Sequence, residues 1–249
     1  MKILGIDTAI PTASVALIEN GELIVETLQG ESLLESDIGK GAQAIGNHAE
    51  IILPLIQSLF GKARVKLEDL SGISLSIGPG SFTGLRIGLA TAKGLAYDVG
   101  LPLVGISTLW AMAARVNDFN GIIGALLDAR KGEVYVALFR RRGQSLNRLT
   151  EDAVLSIESA IDLFKNFHAD RTLPLLLIGN GAIAHERKLR TALADWPVIS
   201  NGTGYASVAS WVALLALPRF AAASVDDIGA LAPIYLRMSE AQTRRKNLP

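Results

Sequence analysis

No cysteine occurs in the 249 residues, which removes disulfides, thiolate metal sites and a cysteine nucleophile together and suits a reducing compartment. Histidine is nearly as scarce: His48, His168 and His185 lie far apart. Net charge is missing too, because 24 Lys and Arg balance 24 Asp and Glu. No overall positive field therefore draws the whole surface onto nucleic acid, and any RNA contact must be local or supplied by a partner. The longest apolar run, Val208 to Leu217, contains Ser210 and stops at Pro218, well short of a bilayer span. The opening MKILGID has no long apolar region behind a basic start and reads as a strand, not a signal peptide. With 49% apolar and 19% charged residues, the composition is that of a globular chain with no membrane contact, expected in the cytoplasm.

Strands alternate with helices. Lys2 to Asp7 has β character, and Ala13 to Ile18 with Leu23 to Leu28 flank Asn20-Gly21, a pair that tolerates positive φ and signals a hairpin. A polar loop, Gly30 to Gly46, precedes a helical pattern at His48 to Phe60 with one broad apolar face. Ile73 to Ile77 is the next strand, followed by a glycine turn and a helix from Gly84 to Val99. Val104 to Ser107 is short and leads to a helix through Arg115. A second series then begins with strands at Ile122 to Asp128 and Val134 to Arg140. It continues with a helix at Ile157 to Phe167, a strand at Leu173 to Ile178 and an apolar helix at Ala206 to Leu217. Pro233 to Leu236 reads as a last strand before a polar tail.

The two series repeat one another. ILGIDTAIPTASVALIENG closes a strand at Asp7 and resumes at Val15-Ala16-Leu17; GALLDARKGEVYVALFRRRG closes one at Asp128 and resumes at Val136-Ala137-Leu138. SLSIGPGS and LLLIGNGA match at Gly78 and Gly179. The fold class is therefore α/β, with two β-β-β-α-β-α halves facing each other across a cleft, at 1–105 and 106–249. Each half is a mixed sheet flanked by helices and offers an aspartate from its first turn. This duplication resembles the actin, Hsp70 and sugar-kinase (RNase H-like) superfamily, whose halves clamp a nucleotide. The resemblance implies a fold and not an activity. Here Asp7 is followed by Thr-Ala-Ile-Pro-Thr; Pro11 has no amide to donate and no glycine admits an anion, so the phosphate site looks degraded.

GPGSFTGLRIGLATAKG, residues 78 to 94, invites a phosphate-loop reading that its spacing refuses. Gly78 and Gly84 are separated by five residues, with Leu85 where a Walker loop has lysine. Gly78, Gly80 and Gly84 also miss the dinucleotide spacing by one. The free amides of the following helix, with Arg86 in its first turn, leave a weak anion site open, with Asp7, Gly78 and Gly80 as its nucleotide-binding residues. Small residues recur every fourth position, Gly84, Gly88, Ala92 and Ala96. Helix glycines cost about 1 kcal/mol each relative to alanine, so a compensating close approach is expected. That approach is either an interface, with the His48 to Phe60 helix beside it, or packing inside the domain.

GPGSFTGLRIG, with ILGIDTA, GISTL, LDARKGEVY and PIYLR spread in order over nearly the whole chain, resembles the TsaB (YeaZ) family. The resemblance implies a non-catalytic paralogue of TsaD, needed to place threonylcarbamoyl on adenosine 37 of tRNAs reading ANN codons. It also implies work alongside TsaD and the ATPase TsaE, with tRNA met through the complex and a homodimer in isolation. No cofactor of its own is implied; ATP or ADP and a metal belong to the complex. N-terminal helices would pair with the partner, which assigns His48, Ile51, Ile52, Leu55 and Leu59 on the first helix. On the second, Phe82, Arg86, Gly88, Leu89, Ala92 and Ala96 are assigned. The catalytic paralogue binds metal through His-x-x-x-His, whereas here Ile52 follows His48 at that spacing, so no catalytic or metal residue is assigned. A stand-alone ATP-dependent phosphotransferase of the actin-like fold is the alternative. Asp7 and Asp128 are read first as caps of their own turns and second as Mg²⁺ ligands. Arg130, Lys131 and the tail's Arg244-Arg245-Lys246 are solvated surface or contacts to tRNA phosphates.

Overall fold

The computed structural model describes residues 1–28, 48–167, 173–194 and 207–237, together with the backbone of 198–201. The chain opens as an antiparallel meander of β1 (Lys2–Asp7), β2 (Ser14–Glu19) and β3 (Glu22–Leu28). Asn20 and Gly21 turn β2 into β3 at φ of 52° and 90°, the left-handed region that a two-residue hairpin demands. There follow α1 (His48–Ala63), β4 (Gly72–Gly78), α2 (Phe82–Val99) and β5 (Leu103–Ser107). β4 pairs parallel with β1 and β5 parallel with β4, giving the order β3-β2-β1-β4-β5.

After α3 (Thr108–Ala114) a second meander runs through β6 (Gly121–Arg130), β7 (Glu133–Arg142) and β8 (Ser145–Arg148). β9 (Ala153–Ser156), α4 (Ile157–Phe167), β10 (Leu175–Ile178), α5 (Asn180–Ala184), α6 (Glu186–Ala192) and β11 (Val198–Asn201) complete it, and α7 (Ala209–Ala221) follows. The order β8-β7-β6-β10-β11 repeats the first sheet strand for strand: two antiparallel pairs, then two parallel ones. β9 is an addition, pairing with β7. Gly78 and Gly179 close the equivalent strands β4 and β10 with φ of 119° and 105°, so the sequence match at those positions marks one structural place used twice. The duplicated actin-like architecture is thus present.

The chain divides into one unit of residues 1–108 with 206–233 and another of 109–205 with 234–249. The expected break after residue 105 falls close to the first crossing, but 106–249 is not one lobe. α7 returns to the first sheet because alternate residues of β1 point to opposite faces. Leu4 and Ile6 join Ile52, Ile56, Leu59, Ala92 and Ala96 under α1 and α2. Ile3, with Ile18 of β2, meets Ala213 of α7 on the far side. Each fully buried Leu or Ile contributes roughly 1.5–3 kcal/mol, so a strand covered on both faces is worth more than one left half bare. Beyond α7, Arg219 pairs with Asp226 at 2.7 Å, and Asp226 also accepts from the Gly105 amide at 2.7 Å. The returning segment is thereby tied to β5.

In the second unit Leu126, Val134, Val136 and Leu138 pack on Ile157, Ile161 and Phe164 of α4. Arg141 of β7, itself buried, donates to the carbonyls of Ala113 and Ala114 at 3.3 and 2.8 Å. Both carbonyls lie at the end of α3, where helical donors run out; Ala113 also accepts from the Val116 amide at 3.2 Å.

Other expectations shift. α7 continues through Pro218 to Ala221. Pro233 to Leu236 joins no ladder and is not a strand; Pro233 has no N–H for one. The Gly30 to Gly46 loop, His168 and the tail's Arg244-Arg245-Lys246 lie outside the described residues.

A Cβ on Gly5 would overlap the Ala209 carbonyl oxygen and touch Ala213 at 3.0 Å, whereas one on Gly94, in the middle of α2, meets nothing. Urea unfolding is therefore expected to show Gly5→Val destabilised by about 2–3 kcal/mol and Gly94→Ala stabilised by up to about 1 kcal/mol. Equal effects at the two positions would refute this packing of α7 on β1.

Candidate functional site

The turn after β1 and the glycine turn after β4 close on each other. Ser81 donates its amide to the Ala9 carbonyl at 2.8 Å. Thr8 Oγ1 donates to the Gly84 carbonyl at 2.7 Å. A Cβ on Gly80 would strike Ala9, one on Gly84 the Thr8 carbonyl, and one on Gly88 the Thr8 hydroxyl. The close approach that these glycines permit is thus to the chain's own backbone. Ser81 Oγ accepts from the Gly84 amide at 3.2 Å as the N-cap of α2, an ordinary side-chain cap. His48 Nε2 lies 3.2 Å from the Pro11 carbonyl, and His48 Nδ1 stands beside Gly84. It is a buried polar link between α1 and the first turn.

The residues expected at a nucleotide site are absorbed by this seam. Gly78 is buried, Gly80 faces Ala9, and Asp7 is fully buried. Asp7 Oδ1 accepts from the Ala9 amide at 3.3 Å, two residues on. Asp128 does the same for the Arg130 amide at 2.8 Å, so both aspartates cap their own turns. They differ in setting, because Asp128 is exposed. Burial raises the Asp7 carboxyl from the ordinary 3.8 to about 6, partly opposed by the Ser76 hydroxyl and the amides of Ala9 and Ile10. Oδ2 meets the distance and angle of a hydrogen bond with no group among the described residues.

The partner-binding expectations divide by helical phase. On α1, Ile52 and Leu59 are buried against the unit's own sheet and His48 against the first turn and Gly84, while Ile51 and Leu55 are half-buried. On α2, Gly88, Ala92 and Ala96 are buried under the same core. The small-residue stripe is therefore internal packing and not an outward surface, and these six residues are not exposed to a partner. The opposite face of α2 carries Phe82, Arg86, Ala90, Lys93, Gly94 and Tyr97, positions three to four apart that share one side of a helix. Arg86 lies over the Phe82 ring at 3.9 Å, a cation–π contact that places a half-buried aromatic under an exposed guanidinium. Leu89 is half-buried at the edge of this face. The sequence reading missed Tyr97, 84% exposed, and Leu53 on α1, 53% exposed. Tyr97 stands eleven residues after Arg86, three helical turns along the same side, and that spacing was the available signal.

A family model described as tRNA N6-adenosine threonylcarbamoyltransferase, TsaD, matches residues 42–194. The tRNA threonylcarbamoyladenosine biosynthesis protein TsaB of Bacillus subtilis is 29% identical over 98% of this chain and 97% of its own length. The protein of the same name in Escherichia coli is 38% identical over 57% of this chain and 56% of its own. Among solved structures, YeaZ from Pseudomonas aeruginosa superposes with a TM-score of 0.72 at 22% identity, covering 94% of this chain and all of that one, a likeness of fold. No helix among the described residues is long and apolar enough to cross a membrane.

Between pH 4 and 6 the folded chain retains a proton on Asp7 that the unfolded chain has released, so stability falls as pH rises through that window. Asp7→Asn, which has no charge to bury, is expected to match the parent below about pH 4 and to exceed it by about 1–3 kcal/mol at pH 7. Denaturant unfolding at pH 4, 5 and 7 checks this, and a difference that does not change with pH would contradict it.

Proposed function

The chain belongs to the TsaD family of tRNA N6-adenosine threonylcarbamoyltransferases, and we propose that within it this protein is a subunit without chemistry of its own. It docks and organises a TsaD-like catalytic paralogue for threonylcarbamoyl transfer to adenosine 37 of tRNAs that read ANN codons. One observation carries the reading. On α1, where the catalytic paralogue places two imidazoles one turn apart, His48 is followed by Ile52, 1% exposed in the apolar core. An isoleucine there offers a metal nothing, and His48 is engaged with Pro11. The similarity to TsaB of Bacillus subtilis along nearly both whole chains supports placing the protein in the same biosynthesis.

The docking surface in this reading is the outer side of α1 and α2. Leu53, Phe82, Arg86 and Tyr97 supply the aromatic, arginine and apolar anchors that dominate protein interfaces. The buried stripe beneath contributes by holding α2 close to Thr8, so that its outer side is rigid. In isolation the same surface pairs two copies. ATP or ADP and a metal act in the complex with TsaD and a TsaE-like ATPase, and tRNA is met there.

Leu53→Asp with Tyr97→Asp changes two exposed side chains and is expected to leave unfolding unchanged. It should weaken association with a TsaD-like paralogue at least 10-fold, read by light scattering on mixed proteins, and lower threonylcarbamoyladenosine formation in parallel. Undiminished association of the doubly substituted chain would sink the proposed surface. Threonylcarbamoyl transfer by the purified chain alone would sink the proposed role.

A further inference from the structure

The balanced total charge is divided unevenly between the units. The first carries 8 Lys and Arg against 13 Asp and Glu, the second 16 against 11, so the two stand at −5 and +5. Within the second unit, four contacts draw basic residues to one end. Asn180 at the start of α5 accepts from the Asp128 amide at 3.0 Å. Ile157 at the start of α4 donates to the Gly132 carbonyl at 3.1 Å. Lys188 of α6 pairs with Glu158 of α4 at 2.8 Å. Arg237 donates to the Ala129 carbonyl and lies 3.4 Å from Glu133.

The turn between β6 and β7 and the α4, α5 and α6 elements thus share one end of the unit, with Arg130, Lys131, Arg187, Lys188, Arg190 and Arg237 on it. Lys188, Arg190 and Arg237 have acidic partners. Arg130, Lys131 and Arg187 are exposed and form no ion pair among the described residues. Arg130 and Lys131 hold the left-handed region, at φ of 63° and 54°, where long side chains are uncommon. Asp128 Oδ1 on the Arg130 amide, and Gly132 at φ 78°, maintain that turn. Two adjacent cations are therefore presented from a backbone whose shape is already set.

We propose that this end of the second unit binds the phosphodiester backbone of RNA, while the acidic first unit is kept for protein. Cations offered without committed partners release condensed counterions from a polyanion and read no bases, so the contact is salt-sensitive and tolerant of sequence. The choice of RNA over an acidic protein surface rests on the function proposed above.

The test is fluorescence anisotropy of the full chain with an unmodified tRNA transcript from 50 to 200 mM salt. Arg130→Asn with Lys131→Asn keeps residues that tolerate the left-handed turn. It is expected to weaken binding about 10-fold at 50 mM and to lower the slope of log affinity against log salt by about 1.5, near 0.7–0.9 per lost phosphate contact. Arg64→Asn with Lys66→Asn is the matched control: both lie on the first unit, and Arg64 is itself at φ 54°. It should change affinity less than 2-fold. Absence of salt-sensitive binding by the parent chain overturns the proposal, as does equal weakening by both pairs. Tighter binding to polyglutamate than to the transcript would assign the surface to an acidic protein and overturn it also. Association with the TsaD-like paralogue, measured on the same variants, separates the two readings. Normal association with no RNA binding defeats only this one, and the reverse result defeats only the docking role.

Discussion

Thr8 is the point on which the first unit depends. Its carbonyl and hydroxyl occupy the space over Gly84 and Gly88, and its Oγ1 donates to the Gly84 carbonyl in a buried hydrogen bond. Side chains at either glycine would push α2 off the sheet. With them absent, α2 lies close enough for Ala92 and Ala96 to enter the core with Leu4, Ile6, Ile52 and Leu59. Asp7, next to Thr8, is fully buried, and that burial raises its proton affinity. The close approach also fixes which side of α2 faces out. The proposed docking surface is the complement of the seam, since one helix cannot present the same residues to both sides.

Duplication gives the two units a common plan and different local outcomes. Strand order, pairing sense, the aspartate that caps its own turn and the glycine that closes the fourth strand all recur. In the first copy the turn is held against the start of α2 through the Ala9 carbonyl and Thr8, and its aspartate is buried. In the second the turn is exposed and carries Arg130 and Lys131. A turn that is sealed serves packing, whereas one that is exposed and basic is available to an anion.

Much of the fold was legible because it is local. Asn20-Gly21 dictates its hairpin whatever surrounds it, and the apolar spacing of His48 to Phe60 and of Ile157 to Phe167 has a helical period over enough residues to stand out. β8, β9 and β11 were not legible because each has four residues broken by polar ones, whereas β10, equally short, stands out as the unbroken apolar run Leu175–Ile178. α5 and α6, of five and seven residues, fall below two helical turns. At the candidate site, the spacing of small residues on α2 announced a close approach. Its object was hidden, since Thr8 is more than seventy residues away and nothing local to α2 names it.

The amino-acid order alone settled the longer elements, the internal repeat and the missing second imidazole after His48, because each depends on neighbours within a few turns or on identity at a position. Contacts between distant segments settled the rest. α7, some two hundred residues from β1, completes the first sheet because the far faces of Ile3 and Ile18 need cover. That return also fixes the borders across which 24 cations and 24 anions divide. A composition states how much charge a chain holds, and the packing of apolar faces decides where it lies.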